Sequence, residues 1–251
     1  RPARSRWKKR LAAVFRRVDW REAGILALLF VLIFYLWGSM LLYPLRILVV
    51  FFHEMSHGLA AILTGGGIQE IYLHPDAGGM CVTTGGIPFI VISAGYLGSL
   101  LWGGAIMLLS RKPKVVNPLM AGLGVLLLGA AALLVRPVLD FGFLFCVGAG
   151  AALAAMGLKL PVWANAFALR LIGLASCMYA TVDIKADILD QHHLTTDATL
   201  LAERTPIPAF VWGVFWMVIA IAVSGVLLIA ACSKSPRTDR IPKTNPTGST
   251  G

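Results

Sequence analysis

Phe51-Phe52-His53-Glu54-Met55-Ser56-His57-Gly58-Leu59-Ala60-Ala61 lies inside a mostly apolar run over residues 45–64 and reads H-E-x-x-H. On a helix, positions i and i+4 share a face, so His53 and His57 can offer two imidazole nitrogens to one metal ion. Glu54 stands one residue round the turn, within reach of a proton on a water that such an ion activates. Zinc suits the set, because it accepts nitrogen ligands and needs only three protein ligands to leave a catalytic position open. At the chain's own His and Glu frequencies the pattern arises by chance in about one sequence in six hundred. Two imidazoles and a carboxylate in a membrane-length apolar segment are costly unless something pairs with them, so they are functional candidates by default.

Composition extends that reading outward. The chain has 251 residues, 58% hydrophobic and only 14% charged, with a mean hydropathy of +0.79. Several nearly uncharged stretches of about 20 residues identify a multi-span membrane protein rather than a soluble domain. The net charge of +10 does not indicate nucleic-acid binding, since nine of the 22 Lys and Arg precede the first span, between Arg1 and Arg21. That placement, with a weakly amphipathic stretch over 11–15 and Trp20 at the interface, fits an anionic bilayer surface. The opening is no cleaved signal peptide: its basic region and the apolar run after it are both too long. Cys81, Cys146, Cys177 and Cys232 are scattered, with no C-x-x-C spacing, and imply neither a disulfide framework nor a cysteine metal site.

The expected fold class is all-α: a polytopic bundle of about six or seven transmembrane helices, with a short Gly-rich β-hairpin after the second helix. Spans are expected over 23–43, 45–63, 87–109, 119–135 and 138–157, then from 162, and last over 207–231. Ile68 to Leu73 and Met80 to Thr84 read as two short strands, with Pro75-Asp76-Ala77-Gly78-Gly79 as their turn. Gly95, Ser99 and Gly103 form a small-residue stripe suited to close helix packing. Arg136 and Asp140 are spaced for a local ion pair, Asn165 for helix–helix hydrogen bonding or a water path, and 191–206 for a polar loop. Three regions follow: a basic cytoplasmic segment 1–22, a membrane domain 23–231, and a disordered tail 232–251. Seven crossings put the N-terminus in the cytoplasm of a cell membrane, on the strength of its basic residues; Arg111–Lys114 and the tail oppose that orientation.

A catalytic zinc with two histidines needs one more protein ligand. Asp183, Asp187 and Asp190 follow i, i+4, i+7 spacing and share a helix face. His57 lies about 10 Å before its helix ends near Thr64, and Asp183 lies a similar distance before Asp190, which favours Asp183 with Asp187 second. Glu70 and His74 on the hairpin, and His192-His193, are further candidates without helical pairing.

The combination of Phe52-His53-Glu54-Met55-Ser56-His57-Gly58 with a Gly-rich hairpin, Ala94-Gly95-Tyr96-Leu97-Gly98-Ser99, Val182-Asp183-Ile184-Lys185-Ala186-Asp187, Thr196-Asp197-Ala198, Trp212-Gly213 and Trp216 resembles the M50B-like branch of the site-2-protease (M50) family. The likeness covers about residues 45–216. It implies intramembrane peptide hydrolysis, with His53 and His57 as zinc ligands, Glu54 as general base and a carboxylate from a later helix as third ligand. Better-studied members carry that Asp in an N-P-x-x-D-G-type motif, which this chain lacks, so Asp183, Asp187 and Asp197 all stand as candidates. The implied partners are a membrane-protein or peptide substrate and the lipid bilayer. Two other readings have the same membrane fold: a scaffold without turnover, against which Glu54 argues, and a metal-ion transporter, against which the clustering of ionisable groups argues.

Overall fold

In the computed structural model, residues 18–189 and 196–233 are described, and among them are eight helices and one two-stranded hairpin. The helices are α1 (Trp20–Leu36), α2 (Tyr43–Leu63), α3 (Pro88–Leu109), α4 (Pro113–Leu133), α5 (Phe141–Lys159), α6 (Val162–Leu189), α7 (Asp197–Arg204) and α8 (Ala209–Ala231). The strands are β1 (Gly67–Leu73) and β2 (Gly79–Thr84), between α2 and α3. The basic stretch before Val18, the His192-His193 pair and the tail beyond Ser233 lie outside the described residues.

Six of these helices (α2 to α5, α8, and α6 over Val162–Val182) are long and apolar enough to cross a membrane. The chain is therefore an all-α polytopic membrane protein with a small hairpin. α1 departs from the expected first span. Asp19 caps it early, its carboxylate accepting from the backbone N–H groups of Arg21 and Glu22 at 3.1 and 3.3 Å, and the helix stops at Leu36, before Gly38. Its 17 residues reach about 25 Å, short of a hydrocarbon core of about 30 Å. A 2.9 Å ion pair between Glu22 and Arg170 ties it to α6.

α2 is the centre. Every residue from Ile47 to Gly58 is buried, and 78% of its apolar window is enclosed, against 17% for α8, most of which lies at the surface. A helix hydrophobic on all sides packs on all sides: Ile47, Phe51 and Phe52 join Ile71, Ile106, Met120 and Leu127 in one core. Phe52 stacks on Trp102 of α3 at 5.1 Å between ring centroids.

The small-residue stripe of α3 packs as expected. A Cβ at Gly103 would collide with Cys177 and the Gly173 carbonyl of α6, and the Ser176 hydroxyl donates to the Ser99 carbonyl at 2.8 Å. The absence of a side chain is what lets the two backbones approach. The Asn165 amide donates to Met156 O at 2.9 Å and to Asn117 Oδ1 at 3.0 Å. It is a fully buried tie from α6 to both α5 and α4. The expected Arg136–Asp140 pair is replaced by two caps: Asp140 Oδ1 accepts from Phe141 N–H at 2.8 Å, and Arg136 donates to the Val135 carbonyl at 2.8 Å.

The hairpin is antiparallel, with an irregularity between Ile68 and Glu70. The outer edge of β1 is closed by the α4–α5 connection: Ile71 N–H donates to Leu134 O at 2.9 Å, and Arg136 N–H to Ile71 O at 3.0 Å. Because Ile71 spends both backbone groups outward, its partner Cys81 turns its own N–H and C=O outward on the far side. Among the described residues no strand pairs with that edge of β2. The 191–206 segment also departs from expectation. It contains α7, whose N-cap Thr196 and N3 Thr199 satisfy each other's backbone donors.

Candidate metal centre

His53 and His57 lie one turn apart on α2, 6% and 8% exposed, with ring centroids 4.8 Å apart. His57 Nδ1 lies 2.7 Å from the Val91 carbonyl of α3. A carbonyl only accepts, so Nδ1 carries the proton and Nε2 keeps its lone pair for a metal. The His53 ring is held edge-on between Tyr96 and Tyr179, at 5.7 and 5.8 Å. α3 reaches these imidazoles only because position 95 has no side chain: a Cβ on Gly95 would strike Nε2 of both.

The carboxylate brought to the pair is that of Asp197, the first residue of α7. Its Oδ2 lies 3.3 Å from His53 Nε2 and 3.4 Å from His57 Nε2. That oxygen is buried and has no polar partner other than the two imidazoles among the described residues. The side chains of Asp183 and Asp187, favoured by the helix-end geometry, lie outside the described residues. Glu70 instead accepts a hydrogen bond from the Tyr72 hydroxyl, and His74 stands exposed at the hairpin turn. Burial raises the Asp197 carboxyl pKa, while the charge of His57 and His53 when protonated, with a hydrogen bond from His53, takes it below the ordinary value. The positive end of the α7 macrodipole adds to that pull.

The Asp197 oxygen stands at zinc-ligand spacing from both imidazole nitrogens, and all three atoms lie within 4.8 Å of one another. Zn–N and Zn–O bonds of 2.0–2.2 Å at tetrahedral angles hold ligand atoms about 3.3–3.6 Å apart, and the 3.3 and 3.4 Å separations of Asp197 Oδ2 from the two nitrogens fall in that interval. A direct imidazole–carboxylate hydrogen bond would draw them to about 2.9 Å instead. Two imidazoles and one carboxylate also leave a fourth tetrahedral position open.

Glu54 is 6% exposed and lies under β2, where a Cβ on Gly79 would meet Glu54 Oε1 at 2.6 Å. The strand thus crosses directly above the carboxylate. Glu54, both histidines and Asp197 line one cavity of about 750 Å³, walled by β2 on one side and by α7 on another. Cys81 lines it too, and burial, helped by the Glu54 carboxylate, pushes its thiol up to about 12.

The family resemblance left Asp197 among three candidates, while spacing alone put it in a polar loop and favoured Asp183. The signals that favour Asp197 are Thr196, an N-cap residue ahead of it, and the apolar pair Leu200-Leu201 one turn on. A structureless loop as long as 191–206 is itself uncommon in a compact protein.

A family model described as Peptidase M50B-like matches residues 25–227. No curated protein and no solved structure matches the chain.

Proposed function

The chain belongs to the Peptidase M50B-like family, and on that premise we propose that it is an intramembrane zinc metalloprotease cutting a peptide bond in or near a transmembrane segment of a membrane-protein substrate. His53 Nε2, His57 Nε2 and Asp197 Oδ2 would hold the ion. When bound, zinc polarises a scissile carbonyl and brings the pKa of water towards neutrality. Glu54 takes the proton of the attacking water and returns it to the leaving amine. Its burial under Gly79 supports this, because the strand keeps bulk water off the carboxylate while the cavity leaves it reachable.

A helical substrate hides its peptide bonds and must unwind first. The outward N–H and C=O of Cys81 on β2 offer such a segment a strand to pair with. The closed β1 edge leaves β2 as the docking side. Tyr96, Tyr179 and the Val91 carbonyl fix the imidazole planes, so the residues are oriented before substrate arrives.

The observation that carries this reading is the 3.3 and 3.4 Å spacing of a buried Asp197 oxygen from two imidazole nitrogens. The test is metal analysis of the purified wild type and Glu54→Gln, with cleavage of single-span substrates in detergent. The wild type is expected to contain about one zinc and to cut. E54Q is expected to keep the zinc and lose cleavage by at least about a hundredfold. Retained cleavage would remove Glu54 as the base; zinc without cleavage in the wild type would make the protein a scaffold. We place the N-terminus in the cytoplasm of a cell membrane, supported by its nine basic residues. An N-terminal tag open to protease in intact cells would reverse that.

A further inference from the structure

α7 contributes more to the cavity than one ligand. Asp197, Leu200 and Arg204 recur at helical spacing and all line the cavity, so one face of α7 forms a wall of it. Seven residues separate Asp197 from Arg204, about 10 Å along the helix. Arg204 is a fixed positive charge and makes no ion pair among the described residues. Its position along β2 can be traced. Thr205, next in the chain, accepts from the Trp212 indole N–H at 2.9 Å, and Trp212 packs on Phe89 at 5.5 Å. Phe89 follows the base of the hairpin, so Arg204 stands at the base end of β2. Asp76 stands at the opposite, turn end, where its Oδ1 accepts from Gly78 N–H at 3.0 Å. The cavity is therefore electrically polar along the strand: cationic at the base, anionic at the turn.

We propose that Arg204 is a specificity determinant, recognising a carboxylate on the bound peptide to one side of the scissile bond. The inference rests on the peptidase reading for the identity of its ligand. Asp or Glu side chains and a free C-terminus present the same group, and a guanidinium binds either through paired N–H donors. Arg204 is exposed, so the selectivity is modest, about fivefold, and weakens with salt.

The test uses the full chain in nanodiscs as the zinc-loaded E54Q variant, so that bound peptide is not consumed. The probe is a pool of synthetic peptides of one apolar sequence, carrying Asp, Asn or Lys at each successive position, with free or amidated C-termini. Retained peptides are read by mass spectrometry. Asp at one position is expected to be retained about fivefold over Asn. Adding Arg204→Glu should move the preference to Lys, and Arg204→Gln should erase it, with zinc retained in both as a check that α7 is in place. A preference lost on amidation, rather than on Asp-to-Asn exchange, identifies the free C-terminus as the source. Equal retention of Asp, Asn and Lys peptides, an unchanged preference in R204E, or no retention at all overturns the proposal. Wild-type cleavage without charge preference would overturn it and leave the peptidase reading standing; charge-selective retention without wild-type cleavage would do the reverse.

Discussion

Asp197 carries the heaviest demand of any single residue. Its Oδ2 is buried and faces two imidazoles with no further polar partner among the described residues, a costly arrangement unless a cation compensates it. Asp197→Ala should therefore weaken zinc binding by more than the roughly 10–100-fold that outer partners of metal ligands are worth. Asp183→Ala should leave the zinc content near one per chain. Metal analysis after dialysis against a graded chelator separates the two. Loss of zinc in D183A with retention in D197A would return the third ligand to the long helix. His57 shows how little of this is visible from residue type alone: its ligand nitrogen is chosen by a carbonyl 34 positions away.

Among the elements, local period explains what was legible in the chain and long-range contact explains what was not. H-E-x-x-H is a one-turn pattern, so the shared face of His53 and His57 follows from helical geometry without knowledge of the fold. The hairpin was legible for the same reason, since Pro75 to Gly79 sets its turn, and the strands extend only one residue beyond expectation at Gly67 and Gly79. The meeting of Asp197 with α2 bridges 140 residues and depends on an eight-residue helix too short and polar to announce itself. The early start of α1 at the Asp19 cap and the capping role of Asp140 were likewise decided by backbone donors, which hydropathy does not register. Asn165 belongs at this scale. Its two amide bonds to Met156 and Asn117 are worth about 0.6–2 kcal/mol each, so Asn165→Ala should lower stability by about 1–3 kcal/mol and leave zinc content unchanged. Thermal unfolding in detergent beside metal analysis checks this; loss of zinc at unchanged stability would instead place Asn165 in the site.

For the whole molecule, the gradient from an enclosed α2 to an α8 mostly at the surface puts the polar chemistry in the middle, and the cavity must admit water to it. Of the cysteines, Cys81 lines that cavity, while Cys146 and Cys177 are buried in helices. A small water-soluble maleimide should modify Cys81 before those two. With the Cys81 thiol pushed up to about 12, little thiolate exists at neutral pH. The rate should be slow there and rise about tenfold per pH unit below that value. Mass mapping of the modified chain reads it, and an unreactive Cys81 at about pH 9 would mean that water does not enter by this route. Gly95 and Gly103 place α3 as a shim between the imidazoles of α2 and the backbone of α6, with only hydrogen atoms for thickness on either side. A methyl group added at either position has no slack to enter, so the bore of the metal seat is gauged by how tightly two remote helices clamp a third. Tuning this protein's chemistry by substitution thus begins with the spacers rather than with the ligands.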